Sequence, residues 1–185
     1  MRCYSQFMPK KTPPVARHTS KQAPAKSIAK SLSAVGPVLD NDLQNSIPYL
    51  IARAGVRMGQ SFTRELRKFD MTLTEWRVCS TLSHQPHQRL SEVALNTSTE
   101  QSTLSRVVDG LMQRGILIRE RSDGDARALA LSLTPEGSHI TQRLIPIAQL
   151  YERVSLNGFS ATQADQLRDM LKQLYDNMTP LDHEK

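Results

Sequence analysis

The chain has 185 residues, of which 38% are hydrophobic and 23% charged, with a formal net charge of +6. That length suits one soluble domain with a real core, and no apolar run approaches the roughly 20 residues a membrane-spanning helix needs. The charge is local: residues 1–39 carry seven basic residues and no acid, the remainder nets −1, and 100–127 balances five basic residues against five acidic ones. Bulk charge therefore does not establish a nucleic-acid partner, which must rest on where a few arginines point. Two cysteines, Cys3 and Cys79, make no disulfide framework and fit a reducing cytoplasm.

In chain order, residues 1–39 are rich in Lys, Ser, Ala and Pro without periodicity, and read as a disordered basic tail. Such a tail is either an untethered end or an arm adding non-specific phosphate contacts. From about 40 to 70 a long helix is predicted, with Ser46 as cap and Pro48 in its first turn. Ile47, Leu50, Ile51, Ala54, Met58, Phe62, Leu66 and Phe69 trace its apolar stripe. Thr74 is the expected cap of a second helix over 75–85, with Trp76, Val78, Cys79 and Leu82 buried; Pro86 ends it. Leu90, Val93 and Ala94 mark a short helix to Asn96. The polar turn Thr97-Ser98-Thr99 then leads into a further helix with Thr99 as its cap, a helix-turn-helix pattern although the turn lacks glycine.

In that further helix Leu104, Val107, Val108 and Leu111 repeat at i, i+3, i+4 and i+7, giving one buried face. The other side offers Gln101, Ser102, Thr103, Ser105 and Arg106, residue types that hydrogen-bond base edges and phosphates. Gly115 is placed to end the helix. Residues 116–121 and 129–133 alternate with the period of strands buried on one face, joined by the turn-rich tip 122–127. Arg121 and Arg127 are candidate DNA contacts on this wing. Thr134-Pro135-Glu136 starts another helix, which Pro146 should kink or end. Asn157-Gly158 breaks the chain, and Ser160 with Gln163 signals a capping box for a last helix carrying Leu167, Met170, Leu171, Leu174 and Met178.

Asp125-Ala126-Arg127 followed by Leu131-Ser132-Leu133-Thr134-Pro135-Glu136-Gly137 is similar to the D-x-R…L-x-L-T-x-x-G pattern of the MarR family of bacterial transcription regulators. The stretch from Phe69 to Val78 also resembles that family, and the likeness runs from about Leu43 to Met178. It implies a mostly α fold with a small β wing (α+β). The single domain would span 40–180, with a winged helix-turn-helix over about 73–134 and dimerisation helices over about 43–69 and 135–178. It also implies that Arg127 enters the DNA minor groove with Asp125 holding it, that the chain is a homodimer, and that it acts as a ligand-responsive repressor at a palindromic operator. A pocket near Met58, Phe62 and Trp76 would take a small aromatic or phenolic effector.

Other chemistry finds little support. His84 and His87 have a spacing that suits zinc, but Pro86 between them separates their faces, and no metal or cofactor is expected. Cys79 sits among apolar residues, as a buried inert thiol would. There is no Gly-rich phosphate loop, nucleophile elbow or paired carboxylates in an apolar frame, so no enzyme is expected. The rival from another class is a winged helix that docks proteins or coats DNA without specificity; only a regulator should prefer a palindrome.

Overall fold

The structure, a computed structural model, describes residues 42–122 and 125–178, and gives the backbone alone at 121, 122 and 125–128. Residues 42–46 belong to the first of two units and hold a 3-10 turn at Leu43–Asn45 opened by Asp42, whose carboxylate accepts from the Gln44 N–H at 3.1 Å.

The second unit begins with α1, Ile47–Leu66, with Pro48 in its first turn. A 3-10 turn, Arg67–Phe69, ends at Asp70 in the left-handed region (φ 52°) and delivers the chain to α2, Leu73–His84. The cap of α2 is Thr72 and not the expected Thr74. Thr72 accepts from the Glu75 N–H at 3.2 Å, and the Glu75 carboxylate accepts from the Thr72 N–H at 2.6 Å. That reciprocal box needs an acid three residues after the cap; Thr72 has Glu75 there, whereas Thr74 has Arg77. Next come α3, Leu90–Thr97, and α4, Gln101–Gln113. The strands β1, Leu117–Ser122, and β2, Asp125–Leu133, pair antiparallel, and α5, Pro135–Ser155, and α6, Ala161–Met178, complete the chain. No helix among the described residues is long and apolar enough to cross a membrane.

One core runs through the unit. Leu66, Val78, Leu82, Val93, Leu104, Val108, Leu111, Leu117, Leu131 and Leu144 are all fully or almost fully buried, each burial stabilising by about 1.5–3 kcal/mol. The α4 stripe predicted from its spacing supplies three of them. Strand alternation is less regular than expected: Ala130, Leu131 and Ser132 are all buried. The 86–88 loop explains this, because the Gln88 carbonyl accepts from the Leu131 N–H at 2.8 Å and lays a third segment along β2.

Thr134 caps α5 by accepting from the Gly137 N–H at 3.0 Å, with Pro135 in the first turn as expected. Pro146 does not end α5, which continues to Ser155. Pro146 has no N–H to give the Gln142 carbonyl, and both residues lie exposed. The capping box of α6 forms, with Ser160 N–H to Gln163 Oε1 at 2.8 Å and Gln163 N–H to Ser160 Oγ at 3.2 Å.

Gly137 is where the helix touches the wing: a Cβ there would lie 2.1 Å from the Ile116 carbonyl oxygen. Backbone cannot step aside as a side chain can, so Gly137→Ala is expected to cost about 1–3 kcal/mol in denaturant unfolding. Gly110→Ala, a helix position with open space around its Cβ, should instead stabilise by about 0.4–1 kcal/mol. Equal midpoints for the two variants would contradict this packing.

Candidate nucleic-acid interface

The turn between α3 and α4 manages without glycine because Ser98 takes the left-handed conformation itself (φ 48°). The Thr99 N–H reaches the Ala94 carbonyl at 3.0 Å, and the Thr97 hydroxyl donates to the Val93 carbonyl at 2.7 Å. Thr99 is not the cap of α4; its hydroxyl donates back to the Thr97 carbonyl. Glu100 is the cap, its carboxylate accepting from the Thr103 N–H at 3.0 Å and from the Ser102 hydroxyl.

Once α4 is seated on Leu104, Val108 and Leu111, Ser102, Arg106 and Asp109 line its opposite side at i, i+4 and i+7. Gln101, Ser102, Thr103 and Arg106 are exposed there, and Ser105 is half-buried at the edge. Asp109 does not face outward alone: Arg119 of β1 pairs with it at 2.9 Å. This makes Arg119 a strut between wing and helix. At the far end, the Arg114 guanidinium donates to Glu75 Oε1 at 2.8 Å and to the Asp70 carbonyl at 2.6 Å. The end of α4 is thus tied to the junction of α1 and α2. Sequence reasoning missed both pairs, and Glu100 as cap.

In the wing, Arg121 pairs with Leu129 and Ser122 with Asp125. Ala126, Arg127 and Ala128 therefore have no partners across the ladder, and Arg127 is central in this bulge. The side chains of Arg121, Asp125 and Arg127 lie outside the described residues. At the wing's base, His87 Nδ1 stands 3.1 Å from the Ser132 hydroxyl and 3.4 Å from Glu120 Oε2.

The apolar trio proposed for an effector divides. Phe62 packs edge-to-face on Trp76 (5.6 Å between centroids) and on Tyr151 (5.5 Å), so Phe62 and Trp76 are core; Met58 is exposed. A cavity of about 560 Å³ lies on another side of α1, lined by Gly55, Val56, Gly59, Gln60, Thr63, Arg64, Arg67, Leu73 and Arg77. Gly59 helps open it, since a Cβ there would press on Leu73 at 3.1 Å. Three arginines and no acidic residue line it, and none of the three has an ion pair among the described residues. A polar hollow of about 400 Å³, edged by Trp76, Arg77 and Ser98, adjoins it across Arg77. Cys79 is buried, and burial pushes its thiol up to about 12, with the charge of Glu75 adding to the shift. It stays a neutral packing residue.

A helix-turn-helix whose second helix exposes a polar N-terminal half, braced by a wing, is an arrangement for reading duplex DNA. The model of the MarR family matches residues 71–129, from the start of α2 into the wing. The regulator PecS of Dickeya dadantii is 30% identical over 137 residues, covering 74% of this chain and 80% of that protein. The chain belongs to the MarR family. The transcriptional repressor IacR of Pseudomonas putida is 27% identical over 168 residues, 90% of this chain and 98% of its own. A MarR-family regulator from Silicibacter pomeroyi has the same fold, with a TM-score of 0.67 at 26% identity over 74% of this chain and 92% of that one. The chain is a winged helix-turn-helix transcriptional regulator, and α4 is the second helix of that motif.

Proposed function

We propose that the protein is a cytoplasmic, homodimeric repressor that binds a palindromic operator and releases it when a small anionic effector binds. The observation that carries the DNA reading is the outward face of α4, where Ser102 and Arg106 stand exposed while the wing is held to the same helix by Arg119. Gln101, Thr103 and Ser105 flank that face, and Arg121, Asp125 and Arg127 belong to the wing's contact with DNA. The winged domain spans about 73–134, and the helices on either side make the dimer. Arg106 reads a base in the major groove, so Arg106→Ala should weaken operator binding by about 1–3 kcal/mol and binding to random duplex less. Equal losses on the two duplexes would reduce Arg106 to a phosphate contact.

The effector site is the arginine-lined cavity between α1 and α2, and not the Phe62–Trp76 cluster. Arginines with no ion pair among the described residues favour a carboxylate bound in bidentate fashion, while Val56 and Leu73 suit an aromatic ring. A ligand moves DNA affinity only through unequal binding to the two states. Aromatic carboxylates are expected to release the operator and change the fluorescence of Trp76, the single tryptophan, whereas the matching neutral phenols are not. Arg67→Ala should abolish the response. Release by phenols and carboxylates alike, unchanged in Arg67→Ala, would exclude this cavity as the switch.

A further inference from the structure

The start of α4 is chemically unusual for a surface that meets polyanionic DNA. Glu100 is fully exposed at its tip, yet it is an acid. Its carboxylate accepts from the Thr103 N–H and the Ser102 hydroxyl. Two consequences follow. The amide that a free helix N-terminus would offer to a phosphate is occupied, and the Ser102 hydroxyl has spent its one proton on Glu100 and can only accept from outside. The Ser102 hydroxyl, followed by the Ser102 and Thr103 backbone, also holds the carboxyl below the usual carboxylate range, so it stays an anion at neutral pH. The tip therefore presents acceptors, whereas Arg106, one turn along the face of Ser102, presents donors.

Resting on the reading that α4 enters the major groove, we propose that Glu100 is a specificity residue that accepts from the N4 amino group of a cytosine in each half-site. A carboxylate has about four acceptor positions, and the two bonds inside the cap leave capacity for a base. Phosphate oxygens repel it. Guanine shows N7 and O6 in the major groove and thymine O4, all acceptors; adenine sets its N6 amino group beside the acceptor N7. Cytosine alone shows a donor without an acceptor beside it. Glu100 thus costs the protein non-specific affinity and gains discrimination at one base pair.

The test is selection from a randomised duplex library by the full-length wild type, Glu100→Ser and Glu100→Gln. Serine is an equally good cap, so Glu100→Ser keeps α4 formed, which its melting temperature will show. The wild type should enrich a half-site with one fixed cytosine, preferred about tenfold or more over other bases. In Glu100→Ser that position should fall below about threefold while the rest of the motif survives, and random duplex should bind several-fold tighter. Glu100→Gln, whose amide matches N6 and N7 of adenine, should shift the position toward adenine. The same motif and the same random-duplex affinity from wild type and Glu100→Ser would show that Glu100 is a cap only. A Glu100→Ser chain that melts like wild type but loses every position would equally overturn a single-base role. Failure of the wild type to enrich any sequence would overturn the DNA reading and this inference with it.

Discussion

Ending the chain at Gly158 is expected to leave a folded monomer that no longer holds its operator. The reason lies in α6, an 18-residue helix in which only Ala164 is buried. Met170, Leu171, Leu174, Tyr175 and Met178 are exposed on it, and Ile47, Leu50 and Ile51 are exposed on α1. Apolar surface of this extent on terminal helices calls for a partner, and a second copy related by a two-fold axis presents the same faces in return. Among the described residues of the deleted part only Ala164 is buried, and none belongs to the core around Trp76, Leu104 and Leu144, so far-UV circular dichroism and Trp76 emission should stay native. Loss of the second α4 removes the effective-concentration advantage of a linked half-site, on the order of 10²–10⁴ in affinity. Sedimentation should show a monomer and anisotropy a matching loss on the operator. An unchanged dimer would refute the assignment of these helices.

Arg127→Ala is expected to lower DNA affinity about tenfold or more while leaving dimer and melting temperature as they are. The ladder pairs Ser122 with Asp125 but Arg121 with Leu129, so the backbone around Arg127 is an unpaired bulge beyond the body of the sheet. Bulges re-aim side chains and are common beside functional sites. A long cation at a wing tip has the minor groove as its natural partner, where a narrow A·T-rich groove concentrates negative potential. Losing one phosphate-like contact should also flatten the salt dependence by about one unit of slope. Asp125→Ala should weaken binding less than Arg127→Ala, because it leaves the wing cation itself in place. Wild-type affinity across a salt series for Arg127→Ala would remove the wing from the interface.

Much of the fold was legible because its signals are local. The i, i+3, i+4, i+7 spacing of Leu104, Val107, Val108 and Leu111, the Thr134-Pro135 start and the Ser160–Gln163 box each depend on a few neighbouring residues, and each has its place in the structure. The Thr72-x-x-Glu75 box was equally readable and only outcompeted by the nearer Thr74. Partners distant in sequence were not readable. Arg114 meets Glu75 across 39 positions and Arg119 meets Asp109 across ten, and no periodicity encodes such pairs. The sequence pointed to a pocket at Met58, Phe62 and Trp76, whereas the hollow described beside α1 has another lining, because an apolar stripe does not distinguish side chains that fill a core from those that line a hollow. Phe62 and Trp76 fill one, packed on each other. The better signal was the Gly55, Gly59 pair one turn apart on α1, where missing side chains leave room beside Arg64, Arg67 and Arg77.

Two copies of α4 and its wing are expected to read one DNA sequence together. The most direct measurement is the anisotropy of a labelled duplex from just upstream of the protein's own coding sequence, titrated with wild-type chain beside a scrambled duplex across a salt series. Two chains per upstream duplex are predicted, with a preference over the scrambled duplex of about 10³ or more at physiological salt, retained as both affinities fall with salt. Equal affinity for the two duplexes at every salt concentration would contradict it.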